Sequence, residues 1–266
     1  MKKEPMMNVT IKMIENRKSV RKYADTPITE EEKTLILHAA MRAPTAGNMM
    51  LYSIIRVEEQ SLKDQLAETC DHQPFIAAAP WALLFVADYQ RFFDFYQYCG
   101  VNVQCAEKGI EARQPAEGDL LLACCDALIA AQTAVLAAES LGIGSCYIGD
   151  ILENAETHRQ MFKLPRFTLP ITLVVFGRLA VEKTENRLTS RFPTDCVVFN
   201  NEYRKLTEPE FIRMFEAGAQ RSHPGLPVDE AVRIFGQNQY FRKFAADFSW
   251  EMSRSAAEWI NAWKKG

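Results

Sequence analysis

A chain of 266 residues and 30.3 kDa has room for one large domain or two small ones, and 48% hydrophobic with 24% charged residues is the balance of a globular protein. A net charge of −3 and a pI near 5.9 argue against a general nucleic-acid binder and leave room only for a local basic patch. The cysteines at 70, 99, 105, 124, 125, 146 and 196 are odd in number and show no CxxC or zinc spacing, which points to reduced thiols in a cytoplasmic protein.

The N-terminal MKKEPMMNVTIKM is basic but lacks a long apolar run or a small-residue cleavage site, so it does not read as a signal peptide. Residues 10–18 have a helical pattern with Ile11 and Ile14 on one face. Thr29 opens a capping signal, TEEE, before the helix KTLILHAAMRA, which Pro44 stops, and TAGNMM is a loop. LYSIIRVEE (51–59) alternates as a strand and SLKDQLAETC is a short helix. PWALLFVAD (80–88) is a second strand, with proline at its tolerated first position. The aromatic RFFDFYQY and the polar stretch to Gly118 read as a mobile excursion.

LLLACCDALIAAQTAVLAAESLG (120–142) has the length of a membrane span, but Asp126, Gln132 and Glu139 interrupt it, so we read a buried helix. IGSCYIG is a strand or extended turn, NAETHRQMFKL a helix, and ITLVVFGRL (171–179) the third clear strand. Residues 180–196 read as a polar loop and VVFNNEY as a further short strand. Beyond 205 the pattern is helical, broken by SHPGLP (222–227), with a long final helix from Tyr240. The fold class is α+β, a small sheet wrapped by helices.

Little of the sequence carries familiar chemistry. Gly142 and Gly144 follow a helix where a dinucleotide fingerprint must precede one, so that fingerprint fails. Gly142 fits a helix C-cap, while Gly144 and Gly149 ask for another reason, such as close approach to a flat ligand. The four histidines form no HExxH, no serine sits in a G-x-S-x-G elbow, and no metal set is expected. An enzyme with these residues would take its reactivity from a cofactor. The conspicuous feature is NRKSVRKY (16–23). If the chain leaves its helix extended there, Arg17, Ser19 and Arg21 share a face suited to a phosphate monoester. The alternative is a solvated helix end.

NRKSVRKYADTPITEEEKTLILHAAMRAPTAGN, then QTAVLAAESLGIGSCYIGDI, then LPITLVVFGRLA with SRFP resemble the FMN-dependent nitroreductase family, in order over residues 10–205. The resemblance is nearest to its oxygen-insensitive nitroreductase and NADPH:flavin oxidoreductase branch. It implies a mostly antiparallel sheet and a homodimer with FMN at the subunit interface. It also implies a core over 1–205 and a helical extension over 206–266 packing on the core or on the partner. Carried over by position, it places the FMN phosphate and ribityl chain on Arg17, Lys18, Ser19 and Arg21. Pro44, Thr45, Ala46 and Asn48 then lie against the ring from the partner, and Gln73 at its polar edge. Tyr147, Ile148 and Gly149 follow, with the Gly149 backbone near flavin N5 and no catalytic side chain. Arg191 closes on the phosphate, with Thr189 where the branch carries a lysine.

Asp150 stands where relatives often have glycine, and a carboxylate there would repel anionic substrates. The insert with Cys99 and Cys105 has no counterpart. The implied activity is hydride transfer from NAD(P)H to flavin N5 and two-electron delivery to a nitroaromatic, quinone or flavin. No nucleic-acid or membrane partner is implied. A flavin-fragmenting or metabolite-specific member of the same fold, and a non-enzymatic anion-binding module, are the alternatives.

Overall fold

The computed structural model describes residues 8–180 and 188–265, so part of the expected 180–196 loop and the first seven residues lie outside the described residues. The chain divides into two compact units, residues 1–184 with 251–266, and residues 185–250. In the first unit α1 (Val9–Asn16) is capped by Asn8, whose side chain accepts from the Ile11 N–H at 2.9 Å. The TEEE signal is a complete capping box at the start of α2 (Glu30–Met41). Thr29 Oγ1 accepts from the Glu32 N–H at 3.2 Å, and the Glu32 carboxylate accepts from the Thr29 N–H at 2.9 Å.

Four antiparallel strands follow the order β1-β2-β4-β3, with β1 at Tyr52–Val57, β2 at Trp81–Asp88, β3 at Gly144–Ile148 and β4 at Thr168–Gly177. β2 is buried throughout because both faces of the sheet are covered, which is why its sequence is a continuous apolar run instead of an alternation. Trp81, Leu83 and Phe85 face a core shared with Ile36 and Ala40 of α2 and the alanines of α7 (Glu117–Ser140). Ala82, Leu84 and Val86 face the other core, with Leu66 of α3 (Gln60–Thr69), Ile76 of α4 (Pro74–Ala77) and the last helix.

α7 is long and apolar enough to cross a membrane by length and composition, yet its alanine face at 123, 127, 130, 131, 134 and 138 is fully buried in the two cores. It ends in a Schellman motif. Gly142 takes φ +70°, its N–H reaches Glu139 O at 3.0 Å, and the Ile143 N–H reaches Ala138 O at 2.9 Å.

The segment after β2 is not an excursion. It forms α5 (Gln90–Tyr98) and α6 (Val101–Glu107), because Phe92, Phe93 and Tyr96 recur at helical spacing and pack on the core. The Phe93 ring lies 4.9 Å from Phe167. NAETHRQMFKL contributes α8 (Ala155–Met161). The final helix does not start at Tyr240: residues 240–244 form a π-turn that ends before α11 (Asp247–Lys265). Trp259 and Trp263 of α11 are 1% exposed, and Trp259 Nε1 donates to Leu152 O at 3.0 Å. Burying a tryptophan of roughly 200 Å² is worth at most about 5 kcal/mol, so these two rings are a large share of what holds α11 to the core.

In the second unit α9 (Glu208–Ser222) and α10 (Val228–Gln239) flank the SHPGLP break, and Phe215 meets Phe192 at 5.2 Å and Phe235 at 6.3 Å. VVFNNEY is not a strand. A 3₁₀ turn at Thr194–Cys196 precedes it, Val197 and Val198 are mostly exposed, and among the described residues no strand pairs with it. Strand propensity reports fit to a half-buried pleated surface, and these valines have none in one chain.

Candidate functional site

The basic run leaves α1 extended. Arg17 is the C-cap with φ −60° and ψ 131°, Ser19 bridges Ser145 in parallel, and the Val20 N–H donates to Ser145 O at 2.9 Å. The chain then runs along the sheet: the Ala24 N–H reaches Arg178 O at 2.9 Å, and the Ala180 N–H reaches Lys22 O at 3.2 Å. Gly144 explains how the strip comes so close. A Cβ there would lie 2.3 Å from Val20 Cγ2 and 2.9 Å from Val20 Cβ, so this glycine serves the protein's own packing and needs no ligand.

Arg17, Ser19 and Arg21 converge. Burial raises the Cys146 thiol, and the Arg21 charge, a hydrogen bond with Ser19, and the Arg17 charge all pull it back. The Arg17 charge likewise opposes the burial that pushes the Tyr147 hydroxyl up to about 12. Arg17 Nη1 is buried without a hydrogen-bond partner, and so is Ser145 Oγ, whose residue is fully buried. An unpaired buried guanidinium nitrogen costs free energy unless an anion meets it. Lys18 is half-buried between Arg17 and Ser19.

The far end of β3 is open. Gly149 is exposed, and an added Cβ would meet no heavy atom within 4 Å. Its φ of −79° is open to any residue, so neither backbone conformation nor packing within this chain asks for glycine there. Asp150 follows, and Gln73 Nε2 donates to Asp150 Oδ2 at 2.8 Å and to Cys70 O at 2.8 Å. Arg21 stands over the Phe75 ring at 5.5 Å, so the Gln73–Phe75 segment also borders the basic strip. The structure thus brings together Arg17, Ser19, Arg21, Tyr147, Ile148, Gly149 and Gln73.

Pro44, Thr45, Ala46 and Asn48 are elsewhere. Their loop is held by Asp126, buried in the middle of α7, whose two oxygens accept from the Ala46 and Leu51 N–H groups at 3.0 Å each. Thr45 Oγ1 accepts from the Met50 N–H at 3.2 Å, and Gly47, Asn48 and Met50 all have positive φ. The Arg17 charge acts on Glu139, 13 positions further along α7, which at 1.5 Å per residue is about 20 Å from Asp126. One chain therefore holds the loop and the basic strip well apart. From the sequence alone Asp126 stands only as an interruption of an apolar helix. The signal was there, because a lone carboxylate among alanines must find donors. Arg191 lies in the second unit, exposed, and donates to Thr189 O at 3.3 Å.

The model of the Nitroreductase family matches residues 14–178. This chain belongs to the nitroreductase family. It is 31% identical over 215 residues to an oxygen-insensitive NADPH nitroreductase of Salmonella typhimurium, covering 80% of this chain and 82% of the relative. It is 30% identical over 201 residues to an NADPH-flavin oxidoreductase of Vibrio harveyi, covering 75% and 77%. The solved nitroreductase A of Vibrio parahaemolyticus superposes with a TM-score of 0.74 at 25% identity over 96% of this chain and 98% of that one. The NADPH:FMN oxidoreductase of Vibrio harveyi complexed with NAD+ shares the fold, with a TM-score of 0.73 at 24% identity over 95% and 98%. The resemblance drawn from the motifs and the α+β nitroreductase-like fold both hold, and the chain is an enzyme of this family.

Proposed function

We propose that this nitroreductase-family chain is an FMN-dependent oxidoreductase that takes a hydride from NAD(P)H and passes two electrons to a nitroaromatic, quinone or flavin acceptor. The observation that carries the reading is the convergence of Arg17, Ser19 and Arg21 at β3, with a buried Arg17 nitrogen lacking a partner. These residues fit a phosphate, and the open Gly149 backbone fits a flat ring approaching without a side chain in its way. FMN supplies the hydride-accepting and electron-delivering chemistry when bound. The residues of the chain hold and orient it: Arg17 and Arg21 neutralise the phosphate, Ser19 adds a hydroxyl donor, and Lys18 adds charge. Tyr147, Ile148 and Gly149 form the wall that meets the ring, and Gln73 borders it.

The partner is a second copy of this chain. Leu121, Leu122, Cys125, Leu128 and Ile129 form an exposed stripe on α7 at helical spacing, a face that a copy would cover. A second copy would also bring a 44–48 loop to the basic strip, since within one chain the two lie against α7 about 13 residues apart. Seven free cysteines support a cytoplasmic setting. The test is to release and identify the bound cofactor, then follow anaerobic bleaching with NADH and NADPH in turn. A colourless protein that takes up no FMN would sink the proposal. Bleaching by neither nucleotide would remove the nicotinamide donor from it.

A further inference from the structure

Gln73 has two amide hydrogens, and both are occupied, one by Cys70 O and one by Asp150 Oδ2, each at 2.8 Å. What Gln73 can still offer is its carbonyl oxygen, an acceptor. Asp150, whose Oδ2 accepts that bond, follows the open Gly149 directly, so two linked side chains with acceptor oxygens adjoin that glycine. Two groups behind it report a negative field. Glu153, one 3₁₀ turn on, is 4% exposed with Oε1 unpartnered, and burial together with the Asp150, Asp71 and Glu251 charges pushes it up to about 7. The buried Cys70 thiol is raised by burial and by Asp150 and Glu153. Among the described residues no cation opposes the shift at either group; Arg254 is paired with Glu156 and Glu251, and Arg17 and Arg21 act at Cys146 on β3.

We propose that Asp150, held by Gln73, sets the charge preference for the part of the acceptor that lies beside Gly149: neutral or cationic aromatics are favoured there, above all those with a hydrogen-bond donor, and a small aromatic carrying a carboxylate on its ring is disfavoured. This rests on the reading that the acceptor binds beside Gly149 of an FMN-loaded enzyme. Gln73 is a positioning residue in this arrangement, because it orients the carboxylate without needing to touch the acceptor.

The test pairs para-nitrobenzylamine with para-nitrobenzoate as substrates, and benzylamine with benzoate as non-reducible ligands read by flavin absorbance. In the FMN-loaded wild type the cation is favoured on the order of tenfold or more in both kcat/KM and Kd, as expected for a unit charge near a carboxylate of intermediate screening. The preference shrinks as salt rises. Asp150→Asn, and independently Asp150→Gly, bring both ratios close to one, and Gln73→Leu lowers them part-way. A cation-to-anion ratio that is the same in wild type and both Asp150 variants, in an enzyme that holds FMN and reduces nitrobenzene, overturns this proposal and leaves the flavin reading intact. Failure to hold FMN overturns both.

Discussion

Asp126 Oδ1 accepts the Ala46 N–H at 3.0 Å, joining positions 80 apart, and its second oxygen takes the Leu51 N–H from the other end of the same loop. A single buried carboxylate is therefore the hinge between the long central helix and the loop that precedes the first strand. Replacing it with alanine leaves two donors without partners, each costing about 1–3 kcal/mol when buried. Asp126→Ala is expected to lose on the order of 2–4 kcal/mol in urea unfolding. Asp126→Asn, which keeps one acceptor, falls between it and the wild type.

Gly144 and Gly149, five residues apart, are expected to respond in opposite ways. Gly144→Ala forces a Cβ into Val20, which is itself 4% exposed, and overpacking of that kind costs about 1–3 kcal/mol. It displaces the strip carrying Arg17 to Arg21, so stability and FMN affinity both fall. Gly149→Ala meets nothing in the protein, so the melting temperature of the cofactor-free protein stays within about 0.5 kcal/mol equivalent of wild type. Its FMN affinity falls because the methyl stands where the ring is proposed to lie. Equal FMN affinity in Gly149→Ala and wild type would contradict that placement.

The local backbone of this candidate site is legible in the sequence. The alternation of Arg17, Ser19 and Arg21 foretold a shared face, and the bridge of Ser19 to Ser145 supplies the extended backbone it required. The Thr29 capping box and the Gly142 cap were equally local and equally readable. What stayed hidden depends on partners distant in sequence. Gly144 looked like a ligand contact because nothing local reveals Val20 as its neighbour. VVFNNEY has strand composition, but composition cannot say whether a partner strand exists. Phe92, Phe93 and Tyr96 had the spacing of a helix, and the surrounding polar residues masked it. The Gln73–Asp150 bond links two residues that the sequence marks out for separate reasons, and only geometry shows that they occupy one another.

Glu153 predicts a pH dependence. Its carboxyl is raised from 4.5 to about 7, first by burial and then by Asp150, Asp71 and Glu251. Between those values the folded state binds more protons than the unfolded state, so stability falls as pH rises through that window. The full effect is on the order of 3 kcal/mol. Glu153→Gln is expected to match wild type near pH 4 and to exceed it by 1–3 kcal/mol, about the same order, at pH 8. Unfolding curves that run parallel at both pH values would contradict the assignment.

The α7 stripe predicts assembly. Leu128, 46% exposed, and Ile129, 40% exposed, lie on the face proposed to meet a second copy. A charge buried there without a partner costs several kcal/mol, so Leu128→Lys is expected to shift a dimer to monomer in light scattering coupled to size exclusion. FMN is lost in parallel, since each proposed site needs the other copy's 44–48 loop. A monomeric variant with undiminished FMN affinity would refute the shared site.

The central claim is that the strip beginning at Arg17 binds a phosphate, and the comparison of FMN with riboflavin tests it most directly, because the two differ only in that group. Charge-assisted hydrogen bonds contribute about 1.5–3 kcal/mol each, so two arginines predict FMN binding at least about 100-fold tighter than riboflavin. Arg17→Ala should cut that ratio by about tenfold or more while leaving riboflavin affinity nearly unchanged. Equal affinity for FMN and riboflavin in the wild type would contradict the account.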